Sequence, residues 1–200
     1  MDVFVVRTTD DMCGDYGEIL LRGITSNLPA DGTVCLDRTG PYIPSAAVMD
    51  EHLLLPEREL SRFMDRWGAG FVVNGIQVTK LVRFEFTLDE LPRIADRIFG
   101  EPESIIIEGQ HDEDLLQSME KIYSVSPVES VKYTTYKYVR STRRIAVYGG
   151  CDIKAPLYRA QFVGGCCLYC SGEFREWVLQ KSTWTPFLRF TPVDFLDLAE

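Results

Sequence analysis

A chain of 200 residues, 46% hydrophobic and 26% charged, has ordinary globular proportions, which exclude a disordered polymer. A domain of this size buries about 70% of the surface its unfolded chain exposes, so its core needs neither disulfides nor a structural metal. The formal charge of −9, from 30 acidic against 21 basic side chains, repels phosphate backbones and argues against a nucleic-acid partner. The acidity is even: residues 1–100 hold 16 acids and 10 bases, residues 101–200 hold 14 and 11. The opening "MDVFVVRTTDD" has an acid where a secretory leader has a basic region. No apolar run approaches the roughly 18 residues that span a bilayer. A cytoplasmic, reduced protein without a membrane partner is expected.

Residues 2–8, "DVFVVRT", alternate and β-branch like a strand. "EILLRGI" (18–24) and "TVCLDRT" (33–39) are also expected as strands, separated by the turn "PADG". "RTGPYIPSA" follows, where two prolines and a glycine preclude regular structure. "LPERELSRFMDRWG" (55–68) is predicted helical, with Pro56 in its first turn, Gly68 beyond its end, and Leu60, Phe63, Met64 and Trp67 at helical spacing. In "GFVVNGIQVTKLVRFEFT" (70–87), Asn74-Gly75 between two β-rich runs predicts a hairpin. A helix over 87–100 opens on the capping box of Thr87 and Glu90, with Pro92 pushing its start downstream. "ESIIIEG" (103–109) reads as a short buried strand, and the acids of "DEDLLQSMEKIYS" (112–124) favour a helix start. Residues 130–150 and 155–165 are strongly β. "SGEFREWVLQKS" (171–182) is a helix capped by Ser171, and the chain ends in a strand and tail in which Phe195, Leu196 and Leu198 are expected to dock.

One plan recurs. Residues 59–78 and 173–193 each run from an acid-led amphipathic helix through a break into a Phe-led strand that ends near a valine. The expected fold is α+β, with mixed or antiparallel sheets, about four helices, and two related helix–strand halves. Their boundary falls near 109–114: an N-terminal half, 1–110, and a C-terminal half, 111–200, packed as one compact unit.

Candidate chemistry is sparse. Three of six cysteines fall within "GGCCLYC". Cys167-x-x-Cys170 with Cys151 and Cys166 would complete a four-thiolate zinc set, although the second knuckle usual for zinc is missing. Cys167-x-x-Cys170 at a helix N-terminus would instead suit thiol chemistry. A small apolar side chain filling a strand–helix junction needs neither, and packing is the expected role, without metal or cofactor. The only imidazoles are His52, expected half-buried, and His111, in a polar turn; neither adjoins a nucleophile motif. Asp10-Asp11 and Asp112, Glu113, Asp114 are acid clusters at turns or helix starts. "YVRSTRR" (138–144) is the one basic cluster, and a solvent-facing hairpin turn explains it without nucleic acid.

"RTGPYIP" (38–44), followed by the helix "ERELSRFMDRWGAGF" and the strand "VNGIQVTKLVRFEF", resembles a pattern in bacterial polymorphic-toxin immunity proteins and their uncharacterised relatives. "LYRAQFVGGCCLYCSGEFREWVLQKSTWTPFLRFTPV" resembles the C-terminal unit of the same proteins. One related group has two C-x-x-C-G knuckles; here the single C-x-x-C is followed by Ser171. The resemblance implies a non-enzymatic protein that neutralises a basic toxin by direct contact. On it, Arg38, Tyr42, Trp67 and Trp184 are expected as contact anchors, and Asp10, Asp11, Asp112, Glu113 and Asp114 as steering charges. The alternative is a zinc- or thiol-dependent enzyme or sensor centred on Cys167 and Cys170.

Overall fold

The computed structural model describes residues 2–9, 15–26, 33–96, 100–132, 136–139, 144–148, 154–162, 165–181 and 183–196. Strand β1 (Val3–Thr8) leads to helix α1 (Asp15–Arg22), then β2 (Ile24–Thr25), β3 (Cys35–Gly40), β4 (Ala47–Met49) and β5 (His52–Pro56). Helix α2 (Glu57–Trp67), β6 (Phe71–Gly75), β7 (Gln77–Arg83), a 3-10 segment at Leu91–Asp96, α3 (Pro102–Glu108) and α4 (Glu113–Ser118) come next. The rest is β8 (Ile122–Pro127), β9 (Ser130–Lys132), β10 (Tyr136–Val139), β11 (Arg144–Tyr148), β12 (Leu157–Phe162), β13 (Gly165–Ser171), α5 (Gly172–Leu179) and β14 (Leu188–Leu196). The α+β class expected from the sequence holds. No helix among the described residues is long and apolar enough to cross a membrane.

Three sheets result: β10-β11-β14-β1-β13-β12-β9, β4-β5-β8-β6, and β2-β3-β7. The first two contain the same motif. In one, the β4–β5 hairpin passes through α2 to β6, and β8 lies antiparallel between β5 and β6. In the other, the β12–β13 hairpin passes through α5 to β14, and β1 lies antiparallel between β13 and β14. The recurrence read from residues 59–78 and 173–193 is therefore a repeated strand–helix–strand connection that leaves a slot for one more strand. The slots are filled from outside each segment, by β8 in one case and by the first strand of the chain in the other. The sheets consequently do not divide at residues 110/111, because β1 completes the C-terminal unit and β8 the N-terminal one.

The two motifs share one core. Leu53 and Leu55 of β5, Phe63 of α2 and Val125 of β8 meet Leu168 and Cys170 of β13, Phe174 and Val178 of α5, and Val6 of β1. Where the helices meet, aromatic rings stack edge-on and tilted: Trp67 lies 5.9 Å from both Phe174 and Trp177, and Trp177 lies 5.1 Å from Trp184. Such pairs each add about 0.5–1.5 kcal/mol beyond their buried area. The predicted Ser171 cap is present, its hydroxyl accepting the Phe174 N–H at 3.2 Å.

Four predicted elements differ. The helix expected over 87–100 is, among the described residues, only a 3-10 segment at Leu91–Asp96. Residues 18–24 belong mostly to α1, because Ile19, Leu20 and Leu21 are all buried by neighbours on several sides, and a continuous apolar run does not distinguish helix from strand. Residues 103–109 form α3, not a strand, with Pro102 at its first position, where the missing N–H is harmless. Asn74-Gly75 makes no hairpin: both residues pair with β8, opposite Ser124 and Tyr123, while β7 runs parallel to β3 in another sheet. Of the box before the 3-10 segment, Glu90 reaches back to the Thr87 N–H at 2.8 Å. Phe195 docks as part of β14 against the Val3, Val5 and Ile145 cluster, and Leu198 lies outside the described residues.

Candidate functional site

The expected anchors do not form one surface. Arg38 is 2% exposed, in the middle of β3; its Nε donates to Thr39 O at 2.9 Å and its Nη2 to Tyr42 O at 2.7 Å. It clasps the turn that follows, where the Gly40–Pro41 peptide is cis. Burial lowers its pKa to about 10. Trp184 is 1% exposed and donates its indole N–H to the buried Glu59 carboxylate at 2.9 Å. Neither side chain offers a face to a partner; both hold the interior. Trp67 is half-buried in the helix junction, with the Arg66 guanidinium 4.7 Å over its ring. Tyr42 packs 5.1 Å from Phe86, and burial, partly opposed by Arg58, raises its phenol pKa. Asp10 and Asp11 lie outside the described residues.

The other acids do gather. The segment from α3 into α4 lies along β7, tied to it by Lys80 Nζ on Ile107 O at 2.6 Å and by Asp112 N–H on Leu81 O at 2.8 Å. His111 Nδ1 accepts the Leu81 N–H at 3.0 Å, so Nε2 carries the proton that Glu113 accepts, also at 3.0 Å. Asp112 caps α4 by accepting the Leu115 N–H at 2.9 Å and pairs with Arg83 Nε at 2.7 Å. The cap first, then Arg83, holds its carboxyl below the usual range, and the His111 hydrogen bond does the same for Glu113. Asp112 is thus a structural residue as much as a charge. Glu108, Glu113 and Asp114 are exposed beside it, with Glu85 on the far side of Arg83. On the same segment stands Ile107, 63% exposed, the most exposed of the large apolar side chains among the described residues. Its exposure was not foreseen, because residues 103–109 read as a buried strand.

The cysteines separate. Residues 165–171 are one extended strand, so Cys167 and Cys170 face opposite sides, roughly 10 Å apart along the chain. Cys170 lies in the core shared by the two helices, and Cys167 packs against the other face with Val5 and Ile145. Thiols so placed cannot bridge or share a metal ion, although Cys170 directly precedes the Ser171 cap of α5. Burial raises the pKa of Cys166, Cys167 and Cys170, the last most, which keeps all three as thiols. Among the described residues no three His, Cys, Asp or Glu side chains gather for a metal; Cys151 lies outside them. His52 Nδ1 lies 2.7 Å from Ser126 Oγ and 2.9 Å from Ser124 Oγ, and its pKa is lowered chiefly by burial.

A cavity of about 530 Å³ opens between the end of the large sheet, α1 and the β4–β5 turn. Arg7, Thr8, Glu18, Arg22, Asp50, Arg189 and Thr191 line it, with Val6, Val48, Ile145, Cys166 and Cys167. No sequence motif marks it, since its residues come from six separate segments. Compared with protein-family models, curated proteins and solved structures, the chain matches none.

Proposed function

We propose that this chain is a non-enzymatic binding protein that neutralises a cognate, basic bacterial toxin by direct contact, and that the surface from α3 into α4 is its contact face. One observation carries the assignment of the face: an exposed isoleucine, Ile107, on a segment that also exposes the carboxylates of Glu108, Glu113 and Asp114. An aliphatic anchor inside an acidic rim suits a basic partner, the rim raising the association rate and the anchor slowing dissociation. The bonds to β7 preorganise the segment, which lowers the entropy lost on binding. The net charge of −9 adds long-range attraction of the same sign. The immunity-type sequence resemblance supplies the class of partner, and a cytoplasmic location is part of the same proposal.

Co-expression with the protein encoded by the neighbouring gene tests it. A stable complex and rescue of growth are expected, with Ile107→Asp leaving the association rate unchanged and shortening the lifetime of the complex at least tenfold, about 1.4 kcal/mol. Glu113→Lys with Asp114→Lys should reduce the association rate and its dependence on salt. Absence of complex and of rescue overturns the function; a complex indifferent to all three substitutions overturns the face.

A further inference from the structure

The repetition extends well past the strand–helix–strand motif. In the first half, β3 pairs antiparallel with β2 and runs parallel to β7, which directly follows β6. In the second half, β11 pairs antiparallel with β10 and runs parallel to the end of β14. Strand β14 is therefore the unbroken counterpart of β6 and β7: its start, Leu188–Pro192, pairs with β1, and its end, Val193–Leu196, pairs with β11. Elements β1 to β7 and β8 to β14 follow one order, with α1 and β9 in corresponding intervals.

The two halves also share a register. When α2 is laid on α5, the buried residues coincide at the third and seventh positions: Glu59 and Phe63 in one, Phe174 and Val178 in the other. In the same alignment Val125 of β8, opposed to Leu53 and Val73, falls on Val6 of β1, opposed to Leu168 and Phe190. The pairings then carry Val34, Leu36, Leu54 and Ile122 onto Ile145, Val147, Tyr169 and Val3. Each of these sets is the heart of its own apolar cluster, on the far side of its sheet from the shared core. One register that holds through strands, helix and core is the mark of a duplicated unit, residues 3–83 and 122–196, with the acidic segment between the copies.

In that duplication β1 and β8 are the same strand, and each sits in the other copy's sheet. Neither unit holds its own first strand; each is completed by that of another unit. The slot reads the strand by backbone register and by inward residues such as Val6, 1% exposed, and both are the same whichever chain supplies them. From this geometry we infer that the slot between β13 and β14 is also an interaction site for a second molecule of this chain, two copies exchanging β1 reciprocally. Every pairing of β1 with β13 and β14 is retained in such a dimer, and only the path from Thr9 to Asp15 changes. Concentration therefore sets the balance between the closed monomer and the exchanged pair. The inference is independent of the toxin-binding function proposed above.

Phe4 and Cys170 are directly opposed across β1 and β13, within the span of a disulfide, which gives a test on the full chain. One chain carries Phe4→Cys with Cys170→Ala; the other is native and keeps the free Cys170 thiol. The introduced thiol meets Cys170 only when β1 of the first chain lies in the slot of the second. The two are unfolded together under reducing conditions, refolded at about 1 mM or about 1 μM, and then oxidised, the bond being located by mass spectrometry of the digested product. A heterodimer linked from position 4 to Cys170 is expected at the higher concentration and at least tenfold less of it at the lower. The native chain refolded alone at about 1 mM should give a dimer that takes hours to dissociate on dilution, because a strand must leave its sheet. Dimers without that link overturn the exchange. So does a native chain that stays monomeric at about 1 mM, or whose dimer separates within seconds, and this arm decides even where the double variant does not refold.

Discussion

Replacing Arg38 separates the role of a buried side chain from that of a contact residue. In the native protein its guanidinium supplies Thr39 O and Tyr42 O from one rigid fork. Arg38→Ala removes both donors, and each buried carbonyl left without a partner costs about 1–3 kcal/mol, or about 4 kcal/mol for the two. The void adds to this, and relief of the buried charge, visible in the pKa lowered to about 10, offsets part of it. For a chain of this length about 4 kcal/mol corresponds to a fall in Tm of roughly 8–16 °C. Arg38→Met loses the same two donors and the charge but fills most of the void, so a loss of about 3–4 kcal/mol, somewhat smaller than for Ala, is expected. Arg38→Lys keeps a buried charge but cannot reach both carbonyls with a planar fork, and should fall below Met. Urea unfolding at pH 7, with slopes compared to confirm a common unfolded state, gives the order. If Ala or Met lies within about 1 kcal/mol of the native chain, the clasp does not act as described.

Three further outcomes follow from particular contacts. The lowered pKa of His52 means the folded state binds its proton less readily than the unfolded state. Its contribution to stability is complete above about pH 6.5 and is lost as pH falls through the folded value, and His52→Asn should flatten that part of a urea-midpoint profile. Gly109→Ala would place a Cβ 2.4 Å from Val82 Cγ1 and 2.5 Å from Ile105 O, so a loss of about 1–3 kcal/mol is expected in thermal unfolding, and a neutral result would show that α3 shifts freely. Trp184→Phe keeps the ring stacking near Trp177 but leaves the Glu59 carboxylate without its indole donor, for which a loss of about 1.5–3 kcal/mol is expected from denaturant midpoints.

Where residues carried local signals, the sequence was informative. The amphipathic spacing of Leu60, Phe63, Met64 and Trp67 makes α2, and Ser171 ahead of α5 makes the expected cap. The helix–strand plan seen twice in the sequence corresponds to a motif that occurs twice in the sheets. Ile19-Leu20-Leu21 and Ile105-Ile106-Ile107 were misread because three apolar residues in succession do not distinguish strand from helix; α1 buries all three of its residues, whereas α3 buries Ile106 and exposes Ile107. Pro102 and Gly109 bracket α3 with a helix's usual punctuation, and that signal was the better guide. Asn74-Gly75 misled because turn propensity is local, whereas the partner of β6 lies some fifty residues away in β8.

The candidate site was legible only in part. Glu113 and Asp114 are exposed as charges at a helix start should be, but Asp112 is spent on the cap and Arg83. The size of a tryptophan or arginine says nothing of depth, so Arg38 and Trp184 could not be assigned to the interior before their partners were known. The arginine-lined cavity left no trace in the sequence, because Arg7, Arg22 and Arg189 come from distant segments.

Composition, periodicity and capping by themselves determined an acidic α+β chain with an interior large enough to stand without metal or disulfide, and placed several of its helices and most of its strands. Tertiary structure alone decided that the first strand enters the C-terminal unit, that Cys167 and Cys170 turn to opposite faces, and that Arg7 and Arg189 stand side by side on paired strands. The physical reason is common to all three. Propensity acts over one or two turns of chain, while strand pairing selects its partner by the apolar area buried and the backbone bonds completed, at any distance along the sequence.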